Sequence, residues 1–131
     1  MLNSLGFPNE GVRSIKSRLK KVSEDICLGV NIGPNKETAP EELVNDYLLC
    51  YKEVFEYADF VTINISSPNT PNLRSLHNAE NFKAVIDAIL SERNRHQKKP
   101  KILIKISPDE ESKTFTNLVD TINNSAIDGV I

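Results

Sequence analysis

Four short, nearly uninterrupted apolar runs, at residues 26–32, 60–65, 102–106 and 127–131, alternate with stretches patterned as amphipathic helices. A strand that is apolar at almost every position, not at every second one, is covered on both faces, as in a parallel sheet. Parallel neighbours need a crossover, and each gap carries a 3.6-residue apolar period that supplies one. The first helical stripe uses Val12, Ile15, Leu19 and Val22, and the second uses Leu43, Tyr47, Leu48, Tyr51, Val54 and Phe55. Phe82, Val85, Ile86, Ile89 and Leu90 form the third, and Phe115, Leu118, Val119 and Ile122 the fourth. All four read as core faces. Thr38 and Glu41, with Pro40 between them, predict a capping box for the second helix. Asn78 is the expected start of the third, and Ser107 with Glu110 predicts a second box for the fourth.

The order is a helix, then three strand–helix units, then a strand. It predicts an α/β protein with right-handed βαβ crossovers. The unit size matches a TIM (β/α)8 barrel, roughly 250 residues over eight units. A chain of 131 residues then forms one domain, residues 1–131, amounting to about half of such a barrel. Leu2-Asn3 reads as the tail of an earlier strand, and Asp128-Gly129-Val130-Ile131 stops in mid-strand. The expectation is a partial barrel truncated at both ends. A five-stranded doubly wound sheet is the complete-domain alternative.

Composition narrows the partners. A net charge of −2 and a pI near 5.7 provide no electrostatic case for nucleic acid. No apolar run approaches the roughly 20 residues of a membrane span, and residues 1–7 lack the basic-then-apolar pattern of a targeting segment. Cys27 and Cys50 stand far apart in apolar surroundings and are expected as reduced core residues. His77 and His96 have no partner at ligand spacing, so no metal is expected. Residues 93–101 form a basic, polar connection and read as a solvated loop.

Polar residues fall where such a sheet places its chemistry, at the carboxyl ends of strands. They are Asn3, Asn31, Asn64 with Ser67 and Asn69, and Lys105. Asn64 and Lys105 interrupt otherwise apolar strands, where an unpaired polar group costs about 1–3 kcal/mol. Each could cap a neighbouring loop carbonyl; four strand ends together point instead to one ligand. Carboxamides offer donors and acceptors on one plane and suit a neutral, imide-like or uracil-like ring. A lysine in the same mouth places positive charge beside an electron-rich ring. Leu28-Gly29-Val30-Asn31-Ile32-Gly33 lacks the spacing of a phosphate-binding glycine loop. Ser67 has neither a neighbouring His–Asp pair nor a G-x-S-x-G frame, so a hydrolase triad has no support.

The chain resembles the class 2, quinone-using dihydroorotate dehydrogenases over nearly its whole length. The resemblance rests on Asn3-x-x-Gly6-Phe7 with Asn9 and Gly11, on Leu28 to Gly33 with Asn35-Lys36, and on Asn64 to Pro71 with Leu73-Arg74-Ser75-Leu76. Ile104-Lys105-Ile106-Ser107-Pro108-Asp109 completes it. It implies a (β/α)8 flavoprotein oxidoreductase of pyrimidine biosynthesis that holds FMN, oxidises (S)-dihydroorotate to orotate and passes electrons to quinone. By the same resemblance Ser67 is the base that removes the C5 proton, where class 1 relatives are expected to carry cysteine. Thr70 and Phe7 hold the water that relays this proton onward. Asn3, Asn64 and Asn69 bind the pyrimidine and its carboxylate. Asn31 and Lys105, with Asn64, contact the flavin, and Lys105 lies near N1 and O2 to stabilise the reduced form.

Asn72 stands where the family has glycine, and Ser4 where many relatives have arginine. The quinone-tunnel helices, the first barrel strands and the late phosphate-binding loops expected of the family have no counterpart in these residues. The resemblance therefore implies a membrane-associated parent, at the mitochondrial inner or bacterial cytoplasmic membrane, and an isolated chain that is inactive. A non-catalytic truncated product or interaction module is the competing expectation.

Overall fold

A computed structural model describes residues 10–23, 25–66 and 79–131. Strands β1 (Gly29–Ile32), β2 (Phe60–Asn64), β3 (Lys101–Lys105) and β4 (Gly129–Val130) form a four-stranded sheet. Helices α1 (Val12–Leu19), α2 (Leu43–Val54), α3 (Ala79–Asn94) and α4 (Ser112–Asn123) alternate with them, and a 3-10 turn at Pro40–Glu42 precedes α2. Every strand pair is parallel, and the spatial order β1-β2-β3-β4 is the order in sequence. A doubly wound sheet requires that order to reverse, so that alternative is excluded. Right-handed crossovers without reversal lay the helices on one face, and α1, α2, α3 and α4 pack against one another in succession. This is the winding of a barrel wall.

Alternation along the strands divides the sheet faces. Val61 and Ile63 of β2 with Ile65 just after it, and Ile102 and Ile104 of β3 with Ile106 just after it, join the buried core with α2 and α3. Tyr47, Tyr51 and Val54 of α2 and Phe82, Val85, Ile86 and Ile89 of α3 close it from the helical side, each fully buried. Each such side chain contributes roughly 1.5–3 kcal/mol over exposure. The opposite face carries Gly29, Asn31, Phe60, Thr62, Asn64, Leu103 and Lys105. Gly29 and Phe60 are register partners there, and a Cβ on Gly29 would lie 2.1 Å from the Phe60 ring. Glycine is required at that position for close approach.

Two aspartates brace the amino-terminal ends of the strands. Asp59 accepts from the Leu28 N–H at 2.7 Å. Asp128 accepts from the Ile102 N–H at 2.9 Å, from Lys101 at 3.0 Å and from Arg93 at 2.7 Å. Residues 93–94 close α3 and Lys101 opens β3; the connection between them is largely exposed, as expected from its charge, and Arg93 and Lys101 tie its ends to Asp128. Lys98 also donates to the Glu56 carbonyl at 2.9 Å.

Other expectations change. Thr38 donates to Asp46 at 2.6 Å, and the first turn is capped by Ala39 without a side-chain hydrogen bond. Asp46 also takes the Asn35 N–H at 2.7 Å, so the loop after β1 is folded onto α2. The fourth helix starts beyond the predicted box, after Glu111, because the Ser107 hydroxyl accepts from the Asp109 N–H and makes a local turn. Asn78 lies outside the described residues. Helix α1 buries no residue fully, and Phe115 of α4 is 46% exposed. Cys27 is exposed and Cys50 half-buried, both as free thiols. Burial pushes the Cys50 thiol up to about 11, with Asp46 and Glu53 adding to it.

Candidate functional site

The carboxyl ends of β2 and β3 meet at Asn64 and Lys105, which are register partners. Asn64 ends a strand of β-branched and apolar residues and is 3% exposed; Lys105 holds the matching place on β3. The chain leaves the β2 ladder at Ile65 and Ser66, where the strand pairing gives way to a turn. Ser66 folds back on Asn64: its main-chain N–H donates to Asn64 Oδ1 at 3.0 Å and its hydroxyl to the same oxygen at 2.7 Å. An asparagine that accepts from the N–H two residues on forms a local turn, which halts the strand at this point. Lys105 Nζ then donates to Ser66 Oγ at 2.7 Å. Lys105, Ser66 and Asn64 form one continuous hydrogen-bonded group across two strands.

The helical layer fixes the same point from behind. Tyr47 is fully buried on α2, and its hydroxyl donates to the Asn64 main-chain carbonyl at 2.7 Å. Burial raises the pKa of that phenol far above its ordinary value, so it is a neutral donor at any physiological pH. A Cβ on Gly33, after β1, would stand in ordinary van der Waals contact with the same carbonyl, at 3.9 Å.

Asn31 is exposed and faces the same side of the sheet, paired in register with Thr62, which is 5% exposed. Among the described residues no hydrogen bond joins Asn31 to Asn64 or Lys105. It flanks the pair on the adjoining strand. Asn3, Phe7, Ser67, Asn69 and Thr70 lie outside the described residues. Ser66 carried no expectation of its own, although an asparagine followed two residues later by serine at a strand end is the signature of the turn it makes.

The group is rich in donors. An ammonium and a carboxamide, side by side at the end of a parallel sheet, suit an acceptor edge such as a carbonyl or a delocalised anion. Among the described residues no three His, Cys, Asp or Glu side chains converge as metal ligands. No helix among them is long and apolar enough to cross a membrane. A groove of about 500 Å³ lies elsewhere, between α3 and α4, lined by Lys83, Asp87, Asp120 and Asn124 among others. It opens on the helical layer, away from the strand ends, and has no part in this group.

Comparison with known proteins identifies the family and the fold. The family profile described as dihydroorotate dehydrogenase matches residues 1–131. A dihydroorotate dehydrogenase (quinone) of Pseudoalteromonas atlantica is 40% identical over the whole chain, and one of Legionella pneumophila (strain Corby) is 36% identical. The chain spans about 40% of the length of these curated relatives. Among solved structures, dihydroorotate dehydrogenase of Eimeria tenella in complex with ferulenol superposes with a TM-score of 0.86 at 27% identity. That match covers 98% of this chain and 41% of the other, whose family has a TIM barrel fold.

Proposed function

Because this chain belongs to the dihydroorotate dehydrogenase family, we propose that it is the part of a quinone-type enzyme that carries the proton-abstracting serine and one wall of the flavin and substrate sites. In this reading the full-length parent oxidises (S)-dihydroorotate to orotate with FMN and passes the electrons to a quinone. A lipid-soluble acceptor implies membrane association, mitochondrial or bacterial. The observation that carries the reading is the Asn64–Ser66–Lys105 group at the adjoining ends of β2 and β3.

That donor set fits FMN, whose ring presents acceptor nitrogens and carbonyl oxygens along one edge. Bound FMN supplies the hydride acceptor. The remaining work belongs to the chain. Lys105 places positive charge beside the ring edge where negative charge gathers. Asn64 donates from its carboxamide, and Asn31 flanks the flavin from the next strand. Asn3, Asn64 and Asn69 hold the pyrimidine and its carboxylate. Ser67 takes the C5 proton as its own hydroxyl proton passes to a water held by Thr70 and Phe7, since a neutral serine hydroxyl is too weak a base to act without that relay.

The 131 residues by themselves are expected to be inactive, because they span about 40% of the length of the curated relatives and a barrel site is lined by strands from the whole barrel. The decisive experiment is Ser67→Ala in the full-length parent, following flavin bleaching by dihydroorotate in a single turnover at neutral pH. Loss of bleaching with FMN still bound is the expected result. Bleaching at an unchanged rate would remove Ser67 from its role.

A further inference from the structure

Ser66 lies between two residues of the site and has no task in the reading above. Elementary chemistry dictates the direction of every hydrogen bond around it. The Lys105 ammonium has donors only, so across 2.7 Å to Ser66 Oγ it donates. The single hydroxyl hydrogen of Ser66 is then committed to Asn64 Oδ1, 2.7 Å away. The Ser66 main-chain N–H, also only a donor, reaches the same atom at 3.0 Å. An atom that receives two donors is the carboxamide oxygen, so Asn64 Nδ2 is the atom left to a ligand.

We propose that Ser66 is a positioning residue that sets the polarity of the site, committing the Asn64 oxygen inward and holding the Lys105 ammonium beside the Asn64 amide. The ligand edge seated on this pair is consequently an acceptor, a carbonyl or anionic ring edge, because neither the Lys105 ammonium nor the outward Asn64 amide presents an acceptor to it. Burial of Asn64, at 3% exposure, makes a reversed amide costly, because two donors would then face an NH2 group away from water. The proposal rests on the flavin reading of Lys105, and its test separates the two.

In the full-length parent, the reduction potential of bound FMN is titrated by absorbance, and flavin reduction by dihydroorotate is followed in a single turnover. Ser66→Ala is expected to bind FMN, to show a lower potential and to be reduced about tenfold more slowly, the loss of one oriented interaction. Ser66→Thr keeps the hydroxyl and is expected to restore the potential. Lys105→Met serves as reference and lowers the potential further. A wild-type potential in Ser66→Ala with a lowered one in Lys105→Met overturns the role of Ser66 and leaves the flavin reading intact. A wild-type potential in Lys105→Met overturns the flavin reading itself. If Ser66→Ala fails to retain FMN, Ser66→Cys takes its place. Its thiol fills the same space but bonds weakly, so the potential again falls if Ser66 acts as described and stays put if it does not.

Discussion

The phenol of Tyr47 on α2 donates to the main-chain carbonyl of Asn64 at 2.7 Å, joining the buried helical layer to the end of the strand that bears the site. Through that bond a core tyrosine anchors the backbone of Asn64 at the point where its turn with Ser66 ends β2.

Tyr47→Phe keeps the ring and removes the bond. The carbonyl loses a donor in a place without ready access to water, so a loss of about 1–2 kcal/mol of stability is expected. Urea denaturation at low protein concentration measures it. A change under about half a kilocalorie per mole would mean that the bond contributes little.

Gly29→Ala introduces a methyl 2.1–2.7 Å from three atoms of the Phe60 ring. Overpacking of this kind costs about 1–3 kcal/mol. Adding Phe60→Leu should recover part of the loss, and a double-mutant cycle reports that recovery as a coupling. Simple additivity of the two changes would show that the ring is not what forbids a side chain at Gly29.

Asp128 supplies the acid-sensitive element. Burial opposes its ionisation, but the Ile102 N–H, Lys101 and Arg93 outweigh burial and hold its carboxyl below the ordinary value of 3.8. A carboxylate with a depressed folded-state value contributes stability that is present above 3.8 and disappears as pH falls through that lower value. Asp128→Asn is expected to cost about 2 kcal/mol at neutral pH, and the gap to wild type should close as pH falls below 3.8. Stability curves for both forms that stay parallel into acid would contradict the assignment.

Val130 and Ile131 at the end of the sheet are 51% and 58% exposed, and Phe115 on the neighbouring helix 46%. An apolar strand edge of this kind recruits other strands. The 131-residue chain is expected to self-associate as concentration rises, and Ile131→Lys to reduce that association. Light scattering across a concentration series tests both; a monomer at every concentration would be the contrary result.

The local elements were legible in the residues. Continuous apolar runs marked β2 and β3 to within a residue or so, and the 3.6-residue period of Phe82, Val85, Ile86 and Ile89 marked a face that is fully buried. Asn64 and Lys105 stood out because a strand otherwise apolar has little reason to carry them. Caps were less legible. Thr38 and Ser107 have the right chemistry for a helix start, yet each hydroxyl found a nearer partner, Asp46 in one case and the Asp109 N–H in the other.

By itself the sequence determined the kind of elements, their order and the polar residues that could not belong to a core, because these depend on periodicity and side-chain chemistry within a few neighbouring positions. Only the tertiary structure decided that Asn64 faces Lys105, that Ser66 joins them, and that Tyr47 and Asp128 hold the two ends of the sheet. Those contacts depend on strand register and crossover direction, and a shift of one residue in register would turn the same side chains to opposite faces.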